Sequence, residues 1–289
     1  MGGVILQKVT FTNAMGESIE LYQKPFFLNK IEGLGDVEAE IESQKAPGQD
    51  GTTFIDVTLE ERFIPIEVVI LEEFQKNRRL ISRIFNPKLG PGTLVYENNT
   101  VRREILAIPE HVPKFYDERP RLAERVSIDL LCPNPYWTSE EIKEQLVVWS
   151  GGLKFPLKLP TKFSTWSSES KSKILLNDGD ANTPVFIEFK GPATAPIEVH
   201  NVTTGEFISV NQNLLDGEKL EINTAFGQKR VNKVSYDGSR SNVFHYIDLK
   251  STFFGLVPGN NLIRYSTGGE ELYERAEVSI SWRNRYLGL

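Results

Sequence analysis

Polar and apolar residues alternate with a period of two along much of this chain. Val37, Ala39 and Ile41 interleave with Glu38, Glu40 and Glu42, the pattern of a half-buried strand whose other face is wet and acidic. Pro47-Gly48-Gln49-Asp50-Gly51 carries strong turn signals, and Thr53 to Leu59 alternates again, so the two runs predict an antiparallel hairpin. Gly90-Pro91-Gly92 turns the chain into Thr93 to Glu97, and Asn98-Asn99 separates that strand from Val101 to Ile108, a second hairpin. Val126, Ile128, Leu130 and Cys132 form one face of a further strand.

The period changes once. Between Glu72 and Phe85, residues Phe74, Ile81 and Phe85, joined by Leu80 and Ile84, fall on one side, while Gln75, Lys76, Arg78, Arg79 and Arg83 fall on the other, so the spacing predicts a helix. Glu72 and Glu73 are expected in its first turn, where they complement the helix dipole, and Pro87 stops it by biasing Asn86 away from helical geometry. At Pro133-Asn134-Pro135 two prolines remove backbone donors and fix the chain direction. This predicts a domain boundary near Trp137 to Glu141, with domains 1–138 and 139–289.

Beyond it come short strands separated by turns: Thr183 to Lys190, Pro196 to Val202, Glu206 to Asn211, Glu218 to Asn223, Lys229 to Tyr236, Leu262 to Ser266 and Ala276 to Trp282. Their spacing, without helical periods, predicts a β-sandwich. Ser164 to Lys173 is polar enough for a loop, and no internal repeat of solenoid or propeller length is present.

Composition narrows the class. A chain of 289 residues supports two domains, and 39% hydrophobic residues with 17 Phe supply two cores. The formal charge of −6 argues against nonspecific adhesion to nucleic acid, which needs a basic footprint. Cys132 is the single cysteine and sits in an alternating apolar run, so a buried, reduced thiol is expected. The opening Met1-Gly2-Gly3-Val4-Ile5-Leu6 lacks the pattern of a secretory signal, and Phe63 to Leu71, broken by Pro65 and Glu67, falls far short of the ~20 residues of a spanning helix. A soluble protein made and assembled in cytoplasm is the expectation.

The search for chemistry yields no catalytic, metal or cofactor residues. His111, His200 and His245 are widely spaced and read as structural. Neither a phosphate-cradling glycine loop nor a nucleophile elbow appears. Ser168-Glu169-Ser170-Lys171 satisfies a Ser-x-x-Lys pattern without its companion motifs. Asp178-Gly179-Asp180-Ala181-Asn182 begins like a calcium loop, but Thr183 replaces the glycine and Phe189 the bidentate Glu, so a strand-initiating turn is expected. Glu60-Glu61 and Glu270-Glu271 read as solvated charge rather than acid/base pairs. Trp149, Trp166 and Trp282 are candidates for a sugar-stacking platform, although Trp282 alternates with Ile280 and Val278 as a core residue does. The pairs Arg78-Arg79, Arg102-Arg103 and Arg283 with Arg285 fit an interface with an acidic partner.

Several short motifs follow one another in a set order: in the first half Ile84-Phe85-Asn86-Pro87-Lys88, Gly90-Pro91-Gly92-Thr93-Leu94 and Leu131-Cys132-Pro133-Asn134-Pro135-Tyr136-Trp137. In the second half come Asn177-Asp178-Gly179-Asp180, Thr183-Pro184-Val185, Ile187 to Pro192, Thr204-Gly205-Glu206 and the terminal Trp282 to Gly288. Their order resembles the siphophage tail component family, which includes the distal tail proteins of phages and prophages of Gram-positive bacteria.

The resemblance implies a mainly β protein: an N-terminal belt domain with one α-helix that forms a hexameric ring, and a C-terminal galectin-like or carbohydrate-module-like β-sandwich. It implies a non-enzymatic hub at the virion tail tip, joining the major tail tube protein to a tail-associated or baseplate protein. Phage DNA would pass through the lumen without specific binding, and an acidic lumen would repel it. The competing expectations are a carbohydrate-binding adhesin contacting the host wall and, with no convincing acid/nucleophile pair to support it, a wall hydrolase.

Overall fold

Nearly every run that alternates at period two is a strand in the folded chain. The structure is a computed structural model that describes residues 7–116, 122–146, 172–268 and 276–289. It is mainly β and divides into two compact units, Met1–Glu140 with Tyr286–Leu289, and Glu141–Arg285.

The first unit runs β1 (Lys8–Thr12), β2 (Ser18–Leu21), β3 (Phe26–Ile31), β4 (Ala39–Gln44), β5 (Thr53–Leu59), β6 (Arg62–Ile70), helix α1 (Phe74–Ile84), β7 (Gly92–Glu97), β8 (Arg102–Pro109), β9 (Lys114–Phe115), β10 (Glu124–Cys132) and β11 (Trp137–Thr138). Its strands follow the order β2-β1-β7-β8-β10-β6-β3. The two ends of that path, β2 and β3, are consecutive in the chain and joined by a tight turn in which the Tyr22 amide donates to the Phe26 carbonyl. A path whose ends meet in so short a turn has to curl, and the curl encloses Val9, Phe11, Leu21, Ile64, Val68, Leu94, Val126 and Ile128. Each such side chain contributes roughly 1.5–3 kcal/mol of burial.

α1 adds Ile81, Ile84 and Phe85 to this core, and the Phe85 ring stacks on Phe11 at 4.6 Å. The helix starts two residues later than its pattern predicts. Glu73 is the N-cap in a left-handed conformation (φ 47°), so no acidic residue occupies the first turn, and the expected dipole pairing of Glu72 and Glu73 from within that turn is corrected. Glu73 instead pairs with Lys76 at 2.7 Å. The buried Asn77 donates to the Glu72 carbonyl, a polar position that the apolar pattern did not flag. The end is as expected: Asn86 is extended and Pro87 opens a separate short 3-10 turn.

Arg62, at the start of β6, is completely buried and faces no carboxylate across a hydrogen bond. Its guanidinium donates to the carbonyls of Gly33 (2.6 Å), Pro135 (2.8 Å) and Leu287, tying three distant stretches of the unit together. Gly33 has to be glycine: its φ is +75°, and a Cβ there would stand 2.0 Å from the Phe63 carbonyl oxygen.

The second unit runs β12 (Ile142–Gln145), β13 (Ser172–Asn177), β14 (Thr183–Lys190), β15 (Ile197–Asn201), β16 (Glu206–Val210), β17 (Lys219–Asn223), β18 (Arg230–Val234), β19 (Arg240–Asn242), β20 (Gly255–Leu256), β21 (Gly259–Ser266) and β22 (Glu277–Trp282). One sheet has the order β12-β22-β14-β17-β18-β19 and the other β13-β21-β15-β16. Their inward rows meet in a single core, where Phe189 of one sheet meets Tyr265 of the other edge to face at 5.9 Å. That is the expected β-sandwich. β12, β13, β19 and β20 are strands that the sequence reading did not place.

Candidate assembly surface

β4 and β5 form the predicted hairpin, and among the described residues they pair with each other and with no other strand. An isolated two-stranded ribbon is marginally stable at best in water, so its persistence needs a covering surface. The pairing Ala39↔Leu59, Ile41↔Val57 and Ser43↔Phe54 puts the apolar residues on one face, with a register shift between Glu42 and Ser43 that leaves Ile55 as the extra residue. The opposite face carries Glu40 against Thr58 and Glu42 against Asp56, the second pair placing like charges directly across the ladder. Such a pattern belongs to a strand with one buried face. Yet Ile41 is 66% exposed, Phe54 62%, Ile55 51% and Val57 47%.

A cleft of about 1050 Å³ opens at the hairpin root, lined by Glu38, Glu40, Glu60 and Glu61 together with Ile31, Phe63 and Pro65. Desolvation and the negative charges of Glu40, Glu61 and Glu38 push the Glu60 carboxyl above the usual carboxylate range. The Glu60-Glu61 pair therefore sits in a cluster of like charge, with no arrangement about a single bond. Among the described residues no group of three or more His, Cys, Asp or Glu side chains is placed to hold a metal ion.

The other candidate residues are held by neighbours within their own unit. His111 Nε2 lies 3.0 Å from Asp129 Oδ2, and His200 Nε2 lies 3.1 Å from Glu198 Oε2, its ring stacked on Phe207. His245 is exposed beside Tyr246. Burial opposes ionisation of Glu198, but hydrogen bonds from His200, Ser209 and Ser266 outweigh it and hold the carboxyl below its usual range. Cys132 is buried, and burial pushes its thiol up to about 12.

The Asp178-Gly179-Asp180 stretch is a turn into β14: Asn177 Oδ1 accepts from the Gly179 amide, and its Nδ2 donates to the Ala181 and Leu256 carbonyls. Trp282 is 5% exposed, packs in the sandwich core and donates to Asn284 Oδ1, so it is no part of a platform. Trp149, Trp166, the Ser168 to Lys171 motif and Glu270-Glu271 lie outside the described residues, as does 164–171 of the expected loop, whereas Ser172 and Lys173 open β13.

The arginine pairs separate. Arg78 Nε donates to the buried Glu124 carboxylate at 2.6 Å, Arg102 pairs with Glu140, and the Arg103 guanidinium lies 3.7 Å over the Tyr286 ring. Arg79, by contrast, is exposed on α1. No helix among the described residues is long and apolar enough to cross a membrane.

Comparison with known proteins follows the same division. A family described as siphovirus-type tail component, C-terminal domain, matches residues 178–286, and one described as phage tail protein RIFT-related domain matches residues 15–132. The crystal structure of the phage SPP1 Dit (gp 19.1) protein, described as a paradigm of hub adsorption apparatus in Gram-positive infecting phages, is similar in fold. Its TM-score is 0.68 at 12% identity, over 96% of this chain and 98% of that one. A chain of the phage P2 baseplate in its activated conformation with Ca gives 0.54 at 13% identity, over 95% and 97%. A chain of the phage p2 baseplate with Sr gives 0.54 at 14%, over 96% and 98%. No curated protein matches the sequence.

Proposed function

The chain belongs to the siphovirus-type tail component family, structural proteins of the phage tail, and from that premise we propose that it is the distal tail hub, working as a closed ring of identical copies. The observation that carries this reading is the amphipathic hairpin β4–β5: Ile41, Phe54 and Val57 share one face, and among the described residues nothing covers them. Contiguous exposed apolar surface on a folded protein marks an interaction site. A knob of this kind, docking on a different surface of the next copy, makes a head-to-tail contact that closes into a ring when the rotation allows.

Six copies, a junction between the tail tube protein and the tail-associated or baseplate proteins, and assembly in the cytoplasm of a Gram-positive host complete the proposal. The unit Met1–Glu140 supplies the ring contact in this reading, and the sandwich of Glu141–Arg285 serves peripheral components. The acidic hairpin face suits a passage for DNA, which a negative wall repels.

The test is electron microscopy and native mass measurement of the purified protein, alone and co-expressed with the tube protein. Rings are expected, and the double variant Ile41→Lys, Val57→Lys should be monomeric while keeping the β-rich circular dichroism of the wild type. A strictly monomeric wild type under both conditions would end the proposal.

A further inference from the structure

A sheet edge presents unpaired backbone groups on which another chain can build, and among the described residues the sandwich of the second unit has four such edges. Three are guarded. β19 is three residues long and wholly polar, and β12 carries Lys143 and Glu144 within four residues. β16 is capped by the strap 246–252: the Asn211 amide donates to the Tyr246 carbonyl, the Asp248 amide to Ser209 and the Thr252 amide to Phe207, with a bridge between Val210 and Ile247. β13 is different. It spans six residues, and among the described residues its one strand partner is β21. The lysine that would guard this edge is occupied, since Lys173 Nζ donates to Glu144 Oε2 at 2.7 Å and to the Gln145 carbonyl at 3.1 Å.

The two outward faces of the sandwich also differ. On the larger sheet Gln145, Ser279, Glu188, Glu221 and Asn232 make one polar row across five strands, as a solvated face should. On the sheet that β13 borders, Leu175 points into the core while Ile174 and Leu176 stand outside, 61% and 54% exposed. Ile174 lies opposite the exposed Leu262, whose carbonyl accepts from the amide of Val202, so these four side chains make one apolar patch that runs to the edge.

We propose that β13 is a docking edge on which an extended segment of another tail protein pairs as a fifth strand, with apolar residues at alternate positions beside Ile174 and Leu176 and a carboxylate near Arg264. The premise is that the sandwich serves peripheral components; closure of the ring is not required. An open ladder selects an extended partner, because its bare amides and carbonyls are matched by another strand. The patch selects the side chains, since with a period of two every second residue of the added strand falls on the apolar face. Arg264 selects the charge: it is exposed, makes no ion pair among the described residues, and lies opposite Ser172, whose small side chain leaves room between the guanidinium and the edge. A saccharide would leave the ladder unused.

The probe is a short labelled peptide alternating valine with threonine and flanked by a glutamate at either end, titrated into the full-length protein and followed by fluorescence anisotropy. Wild type and Leu249→Lys, a fully exposed position on the strap at the opposite edge, should bind alike. Ile174→Lys should weaken binding about tenfold or more, and Arg264→Gln should weaken it for this peptide but not for one flanked by glutamine. Hydrogen exchange should show alternate β13 amides open in the protein alone and protected by the peptide.

No binding at millimolar peptide, or equal binding by Ile174→Lys, overturns the proposal. So does slow exchange of β13 in the protein alone, which would mean that the chain covers its own edge, for instance with residues 147–171. Self-association lost in Ile174→Lys would give the edge to a second copy and overturn it equally. Should Ile174→Lys melt early, protection of the wild-type β13 amides by the peptide decides alone. Ring formation is read on the same samples by electron microscopy and should be the same for Ile174→Lys as for wild type. Rings without peptide binding leave the hub reading standing and remove this one, and binding by a strictly monomeric wild type does the reverse.

Discussion

Replacing Arg62 by methionine tests whether a buried cation holds the first unit together. The guanidinium is fully buried and donates to the carbonyls of Gly33, Pro135 and Leu287. Methionine keeps much of the side-chain volume but leaves three acceptors without their donor. A buried polar group stripped of its partner costs about 1–3 kcal/mol, and each carbonyl retains a second lone pair, so the lower figure applies and the sum is about 3 kcal/mol. Removing the guanidinium also relieves its own desolvation, which lowers its pKa in the fold, so the estimate is not raised further. At ~2–4 °C per kcal/mol for a protein of this size, the melting temperature should fall by ~6–12 °C. Urea unfolding followed by tryptophan fluorescence gives the free energy directly, since Trp137 is buried in the same core. Trimming Leu287–Leu289 removes one acceptor and should cost about 1 kcal/mol alone. The same trimming should cost nothing in the Arg62→Met background. A loss below about 1 kcal/mol for Arg62→Met, or strict additivity of the two changes, would refute the clamp.

Other outcomes follow from the same contacts. Gly33→Ala sets a Cβ 2.0 Å from a backbone oxygen at positive φ, and should destabilise the first unit by at least ~2 kcal/mol in the same assay; a neutral effect would mean that this crossing is not rigid. Glu60 has a raised carboxyl pKa, so its neutral form is favoured in the fold; that contribution is whole below the ordinary value of 4.5 and is lost as pH rises through the raised one. Glu60→Gln should therefore raise the melting temperature at pH 7 and lose that advantage in acid, and a pH-independent difference would contradict the like-charge account. With its thiol pushed up to about 12, Cys132 is thiolate in roughly one molecule in ten thousand at pH 8, so a thiol reagent should label it only as the unit unfolds in urea; rapid labelling of native protein would count against its burial.

Much of the fold was legible because it depends on local alternation. β14, Thr183–Lys190, and the hairpin strand β5, Thr53–Leu59, have the bounds that period-two patterning predicts, since one face of each strand alternates strictly or a turn of Gly and Pro closes it. β13, Ser172–Asn177, escaped because its outward positions include Ile174 and Leu176, which erase the contrast between faces. β19, Arg240–Asn242, is an exposed three-residue edge with no apolar position at all. Arg62 escaped for a different reason: its partners are carbonyls 29, 73 and 225 residues away, and a buried cation served by backbone oxygens leaves no mark among side chains.

The assembly surface divides along the same line. The hairpin was visible as alternation, but whether Ile41 and Val57 face a core or solvent is a tertiary fact that periodicity cannot carry. The chemistry, conversely, is occupied inside the chain: His111 by Asp129, His200 by Glu198, Arg78 by Glu124 and Arg102 by Glu140. A side chain that must act on a substrate has to keep a hydrogen-bonding or nucleophilic group free to meet it, whereas a surface built for assembly leaves apolar area uncovered until its partner arrives. Among the described candidates His111, His200, Arg78 and Arg102 are engaged, Arg79 and His245 are exposed, and the apolar Ile41, Phe54 and Val57 stand open. In the proposed ring, the apolar surface left open at Ile41, Phe54 and Val57 is what a neighbouring protein surface of matching polarity would cover.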